Sequence, residues 1–427
     1  MKIYKNPPAD QWNEILKRPT MEVKELDDIV RGVLDDIRSN DDQAVAKYTQ
    51  KFDKAELETF QVTKAEIEAA EAALDEELKE AILLAKENIE SFHRQQRTSV
   101  SIVETMPGVK CWRRSVGIEK VGLYVPGGTA PLFSSVLMLG IPAVIAGCRE
   151  IILCSPPNEQ GELHPAIIYA ADQVGVSKVF KIGGIQAIGA MAYGTESVPQ
   201  VYKIFGPGNQ YVTAAKQMVS RAGTAIDMPA GPSEVLVCAD ETADPSFVAA
   251  DLLSQAEHGI DSQVVLVAFD EEFVLRVQKA IEMQLATLPR QEIARQALEH
   301  SVAIITDKPS EAIDLINAYA PEHLILSMKD VESIAEAIVN AGSVFLGNFT
   351  PESVGDYASG TNHTLPTNGF ARAYSGVSVD SFVKKITFQQ ISEEGLKNLG
   401  PAVEAMAAAE QLQAHKEAVS IRLARLK

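Results

Sequence analysis

From Val116 onward, short apolar runs alternate with helical segments, and this alternation constrains the fold more than any other feature of the chain. EKVGLYVPGG and EIILCSPP read as buried strands, with VLMLGIPAVIAG as the helix between them. KVFKIGG, KIFGPGN, SEVLVCAD, QVVLVAF, VAIITD, HLILSM and SVFLGN read as further strands, interleaved with helices such as HPAIIYAADQVG and SEAIDLINAYA. Strands that alternate with helices at this spacing predict an α/β fold with largely parallel sheets. MPAGPS at Met228–Ser233 interrupts the series, which divides it into one α/β unit before the break and a second after it.

The first hundred residues carry a helical pattern. Thr20 is a candidate cap for the helix that follows it, Asp41 for the next, and Thr63 to Arg97 reads as one or two long helices with solvated charged faces. After Ser381 the chain is expected to be helical again, to its end.

Composition narrows the partners. The chain has 427 residues, 46% hydrophobic, with a formal charge of −19, which argues against nucleic acid or an anionic membrane as the main partner. Its four cysteines, Cys111, Cys148, Cys154 and Cys238, show no CxxC spacing and suggest a reducing compartment. The longest uncharged apolar stretch, Val136 to Gly147, is too short to span a bilayer and contains Gly140 and Pro142. A soluble, cytoplasmic protein is expected.

Seven histidines are present. His93, His164 and His300 lie in charged or polar helical contexts and read as surface residues. The other four have more suggestive company. In QAEHG, Gln255 and His258 are placed three apart in the last turn of a helix started by Asp244–Pro245 and stopped by Gly259. There they form either a cation site or a plain polar helix end. In APEHLIL, Pro321 disfavours helix at Ala320, so Glu322 and His323 fall where a helix hands over to a strand. That pair suits acid–base chemistry, with an ordinary surface junction as the alternative. Asp356 and His363 lie in FTPESVGDYASGTNHTLPTNG, a long polar segment that reads as a binding loop or a mere connection. Glu410 and His415 are placed on one C-terminal helix, where an exposed histidine is the simpler reading.

Taken together and in order, these segments resemble the histidinol dehydrogenase family along nearly the whole chain. The resemblance rests on VGLYVPGGTAPLFSSVLMLGIPA, KIGGIQAIGAMAYGTESVP, KIFGPGNQYVTAAK, DMPAGPSEVLV, SQAEHG, APEHL, SVGDYASGTNHTLPT and AEQLQAHKEAV. It implies one Zn2+ per subunit on Gln255, His258, Asp356 and His415, and an acid–base pair of Glu322 and His323. It implies substrate contacts from Ser233, Glu410 and His363, besides the zinc ligands and His323, and NAD+ contacts from Tyr124, Gln186 and Asn209. Sequence motifs alone do not call for NAD+, because no GxGxxG follows a strand with an acidic residue at the expected distance.

The same resemblance implies two incomplete Rossmann-like domains in an intertwined homodimer. Residues 21–123 with 233–380 form the metal-bearing domain, and 124–232 form the NAD+ domain. Residues 1–20 and 381–427 are terminal segments, the last reaching the partner's site. The reaction implied is oxidation of L-histidinol to L-histidine through histidinal, with two NAD+. Rival readings are oxidation of another primary alcohol, a zinc hydrolase using Glu322 as base, and a non-catalytic module in which zinc only ties the dimer. Cysteine catalysis by Cys148 or Cys154 is not expected, because both flank a buried strand.

Overall fold

The computed structural model describes residues 1–19, 23–127, 131–229 and 231–426. It divides into two compact units, Met1–Gln96 with Ile118–Phe382, and Arg97–Gly117 with Val383–Lys427.

Among the described residues the larger unit contains two parallel sheets. One has five strands in the order Lys178–Lys181, Glu150–Ser155, Lys120–Tyr124, Lys203–Phe205 and Ala225–Ile226. The other has six, in the order Lys2–Lys5, Val302–Ile305, Gln263–Ala268, Glu234–Ala239, His323–Ser327 and Ser343–Leu346. Every residue of Glu234–Ala239, Gln263–Ala268 and His323–Ser327 is buried. A strand covered on both faces needs a near-continuous apolar run, which is why these strands were legible. Each fully buried Val, Leu or Ile contributes about 1.5–3 kcal/mol relative to exposure. The two sheets fall on either side of the Met228–Ser233 break, apart from Lys2–Lys5, an edge strand that the sequence reading left in a terminal segment.

The N-terminal helices are Val23–Asp53, Lys64–Ala73 and Glu76–Arg94. The cap expected of Thr20 lies outside the described residues. At Asp41 the first helix kinks (φ 57°), and the Asp41 carboxylate accepts from the backbone N–H of Asp42 and of Glu196. Thr63 and Glu66 form a reciprocal capping box, and Asp75 caps the third helix. Val30, Val33, Leu34 and Ile37 pack with Ile185 and Ile188, while Ile82, Ala85 and Ile89 pack with Val136 and Leu137. These helices therefore accompany the five-stranded sheet, not the six-stranded one with which they were grouped. His93, expected at the surface, is fully buried: its Nδ1 lies 2.9 Å from the Ile89 carbonyl and its Nε2 3.5 Å from the Asn362 amide.

The smaller unit was only half foreseen. Ile102–Met106, Val109–Gly117 and Val383–Ile391 form an antiparallel sheet, followed by helices Glu393–Ala409 and Gln413–Ala424. Trp112 stacks on Phe388 at 5.5 Å between ring centroids. The strand Val383–Ile391 corrects the expectation that the chain turns helical directly after Ser381. Its side chains are exposed or half-exposed and mostly polar, so it has no apolar run to betray it. No helix among the described residues is long and apolar enough to cross a membrane.

Candidate active site

The helix Pro309–Tyr319 ends with Ala320 in the left-handed region (φ 53°), its N–H bonded to the Ile316 carbonyl at 2.8 Å. Pro321 cannot continue a helix, and the strand begins at His323. Glu322 and His323 are thereby set, as expected, at a helix-to-strand junction, and both are buried. His323 pairs in register with Val235 and Ser343. The junction lies at the switch point of the six-stranded sheet, where the chain runs outward from Glu234–Ala239 on one side and returns at His323–Ser327 on the other. It occupies the amino ends of these strands, whereas open α/β sheets usually place ligands at the carboxyl ends.

Three acidic and amide side chains, and the peptide groups of Glu234, converge on the pair. Glu322 Oε2 accepts from the Glu234 N–H at 3.0 Å and lies 3.6 Å from His323 Nδ1. His323 Nδ1 is 3.2 Å from the Glu234 carbonyl, so Nδ1 carries a proton and donates it. His323 Nε2 lies 3.4 Å from Asp356 Oδ1 without a hydrogen-bond partner, and Glu352 Oε1 is 3.6 Å from Nδ1. Oriented by its partners, the Gln255 amide donates to Glu352 Oε1 at 2.7 Å and accepts from the Glu234 N–H at 3.1 Å.

Glu352 was missed by sequence reasoning. It and Asp356 lie four apart on the short helix Glu352–Tyr357, and so share a face. That helix corrects the reading of the segment as a long irregular loop. The helix Pro245–Ala256 also ends sooner than expected, leaving His258 just beyond it, with its N–H on the Gln255 carbonyl at 3.2 Å.

The electrostatics follow from crowding acids in a dry place. Burial pushes Glu322 up to about 8, although the neighbouring His323 opposes the shift. Burial also drives Glu352 well above the usual carboxylate range. For His323 burial disfavours the cation, but Glu352, Glu322 and Asp356 outweigh it and raise its pKa well above the ordinary value. Asp356 is lowered: burial works against its charge, and His323 overcomes this. His258 keeps an open face, yet the protein around its ring lowers its pKa and favours the neutral, metal-ligating form.

This is a donor set suited to a cation. Atoms of His323, Glu352 and Asp356 lie within 4.8 Å of one another. In these residues His323 Nε2 and Glu352 Oε2 are buried without a hydrogen-bond partner. Of the expected zinc ligands, Asp356 belongs to this set and Gln255 adjoins it through Glu352, whereas the imidazole in it is that of His323, expected as a base.

The remaining expected residues fall into three places. Ser233 immediately precedes the strand Glu234–Ala239, and its carbonyl accepts from the Gln263 N–H at 3.2 Å. His363 Nδ1 donates to the Asp356 carbonyl at 2.8 Å, and its Nε2 lies 3.0 Å from Ser135 Oγ.

Tyr124, Gln186 and Asn209 gather at the carboxyl edge of the five-stranded sheet. The switch point there lies between Lys120–Tyr124 and Lys203–Phe205, the usual place for a nucleotide. The Tyr124 hydroxyl accepts from the Gly184 N–H at 3.1 Å, and Asn209 caps the helix Gln210–Arg221. Gln186 is buried, donates to Asp53 at 3.0 Å and leaves its Oε1 without a partner. Gly206 (φ 127°) lets the FGPGN turn pass against Tyr124, because a Cβ would sit in the Tyr124 carbonyl.

Glu410 and His415 belong to the smaller unit and are exposed. They do not share a helix: Glu410 closes Glu393–Ala409, Gln411 has φ 59°, and His415 opens Gln413–Ala424.

Comparison with known proteins bears on the family and the fold. The family profile described as histidinol dehydrogenase matches residues 16–423. The chain is 61% identical to histidinol dehydrogenase of Bacteroides thetaiotaomicron over 427 residues, covering 100% of both chains. It is 52% identical over 418 residues to the chloroplastic histidinol dehydrogenase of Arabidopsis thaliana, covering 97% of this chain and 89% of that one. A crystal structure of histidinol dehydrogenase from Elizabethkingia anophelis superposes with a TM-score of 0.98 at 56% identity, covering 100% of this chain and 98% of that one.

Proposed function

The chain belongs to the histidinol dehydrogenase family, oxidoreductases of histidine biosynthesis, and from that premise we propose that it oxidises L-histidinol to L-histidine through histidinal, using two NAD+ in turn and one Zn2+ per subunit. The observation that carries this reading is the buried Glu322–His323 pair facing an excess of carboxylate. Such a cluster pairs proton-transfer groups with a place for positive charge.

In this reading Gln255, His258 and Asp356 hold the zinc, with His415 supplied by the other subunit of a homodimer. The zinc supplies positive charge that orients the imidazole and amine of the substrate. His323 accepts the hydroxyl proton through Nε2, the nitrogen left without a partner. Glu322 takes the proton of the water that hydrates the aldehyde, and His323 again accepts a proton in the second oxidation. Ser233, His363 and Glu410 contact the substrate, Glu410 again from the other subunit. Glu410 holds the amine by a charge-assisted hydrogen bond. Tyr124, Gln186 and Asn209 would hold NAD+, which would supply the hydride acceptor. The protein is read as cytoplasmic.

The test is metal-loaded protein with L-histidinol and NAD+. Two NADH and one histidine per substrate are expected. No turnover would overturn the assignment, and turnover without NAD+ would favour a hydrolase on the same residues.

A further inference from the structure

Behind the proposed acid–base pair lies a second set of buried groups that no step of the oxidation requires. Glu234 opens the strand Glu234–Ala239, and its peptide groups touch both members of the pair. Its N–H donates to Glu322 Oε2 at 3.0 Å, and its carbonyl accepts from His323 Nδ1 at 3.2 Å. A partner that takes the Nδ1 proton decides which imidazole nitrogen keeps a lone pair.

The Glu234 side chain is itself locked. It is 2% exposed and accepts from Arg18 Nε at 2.8 Å and Arg18 Nη2 at 2.5 Å, a two-pronged fork, and also from the Asn368 N–H. Arg18 Nη2 donates in addition to the Tyr319 carbonyl at 2.8 Å, and the guanidinium lies 4.0 Å above the Tyr319 ring. Tyr319 is the last residue of the helix that hands over, through Ala320 and Pro321, to Glu322. One side chain from the N-terminal segment thus grips both elements that present the pair.

We propose that Arg18 is a positioning residue, which through its fork on Glu234 and its bond to Tyr319 fixes the tautomer and reach of His323 and the placement of Glu322. The proposal rests on the acid–base reading given above. Lysine cannot replace this arginine, because an ammonium is a point donor and cannot span both carboxylate oxygens while holding a third acceptor. Without the fork the buried Glu234 carboxylate loses its counter-charge while keeping the Asn368 N–H, so the strand start must move to rehydrate it, and the two peptide groups move with it.

The experiment uses the full-length, metal-loaded enzyme. Arg18→Lys should lower kcat roughly 10- to 100-fold with KM for L-histidinol changed less than about threefold, since a misplacement near 1 Å costs about that much. Metal content should be unchanged. In Arg18→Ala, added guanidinium below denaturing concentration should restore about tenfold of the lost kcat, in a saturable manner, by refilling the fork.

A wild-type kcat in folded Arg18→Lys overturns the clamp. So does a loss that merely follows metal content and melting temperature and does not respond to guanidinium. If Arg18→Ala does not fold, the kcat-against-KM split of Arg18→Lys decides alone. His323→Asn, assayed in parallel, separates the two levels. If it retains turnover, the acid–base reading itself fails. If it is inactive beside a fully active Arg18→Lys, only the clamp fails.

Discussion

Ser135 and His363, 228 positions apart, meet at 3.0 Å through Oγ and Nε2. Because His363 Nδ1 gives its proton to the Asp356 carbonyl, Nε2 is the acceptor and the Ser135 hydroxyl the donor. Ser135 lies in the first turn of the helix Phe133–Ala146 on the five-stranded sheet, and Asp356 belongs to the carboxylate cluster around His323. One neutral imidazole therefore couples the two halves of the larger unit. Ser135→Ala should cost about 1–3 kcal/mol by stranding that nitrogen, read by urea unfolding. No change in midpoint would show that the nitrogen finds another donor.

The acid–base pair predicts an alkaline activity profile. Burial pushes Glu322 up to about 8, and the surrounding carboxylates overcome burial to raise His323. Both groups act as bases only when deprotonated, so raising their pKa moves their working forms to higher pH and empties them as pH falls. Turnover at saturating substrate should climb through pH about 8 and fall steeply toward neutrality. A profile already flat at pH about 6 would contradict the assignment of Glu322 and His323 as bases.

Thiol chemistry is excluded by environment. Burial pushes the Cys148 thiol up to about 12 and drives Cys154 further, so neither forms thiolate at working pH. Cys148→Ala and Cys154→Ala should each keep at least about half of wild-type kcat, with losses confined to stability. A collapse of turnover with metal retained would reinstate a thiohemiacetal route.

A shared site can be tested by complementation. His258→Asn and His415→Asn should each lose zinc and activity together. If His415 completes the neighbouring subunit's site, mixed dimers regain one site that carries neither defect, at about a quarter of wild-type activity for random exchange. Absence of recovery after subunit exchange verified by mass spectrometry would rule sharing out.

Asp53 offers a stability test away from the metal. Burial raises it to about 6 from 3.8, against the opposing bond from Gln186. A raised folded-state pKa means that the stability from its protonated form is complete below the unfolded value and is lost as pH rises through about 6. Asp53→Asn should match wild type near pH 4 and exceed it by about 1 kcal/mol at pH 8, after allowance for solvent screening. Parallel melting curves for the two proteins at both pH values would refute this.

Legibility in the sequence followed burial. The parallel strands announced themselves because both faces are covered, and the Glu322–His323 junction because Pro321 forbids a helix there. The antiparallel strand Val383–Ile391 did not, since KKITFQQI carries no apolar run. His93 was misread because its immediate neighbours are charged, although it continues the row of Ile82, Ala85 and Ile89 at helical spacing on the buried face. Glu352 lay inside a polar string, and its part in the cluster depends on a single helical turn that local pattern does not reveal. Arg18 and Glu234 are 216 positions apart, a pairing that no local signal carries.

The larger unit opens the carboxylate cluster around His323 at the amino ends of one sheet, and sets Tyr124 and Asn209 at the carboxyl ends of the other. On the proposed reading, loops that shape the alcohol site and loops that shape the nucleotide site thus hang from separate frameworks. A protein engineer can redraw residues around Glu352–Tyr357 to admit a different alcohol while the FGPGN turn stays untouched, and natural drift has the same freedom. Only contacts such as Ser135 to His363 must be kept in step.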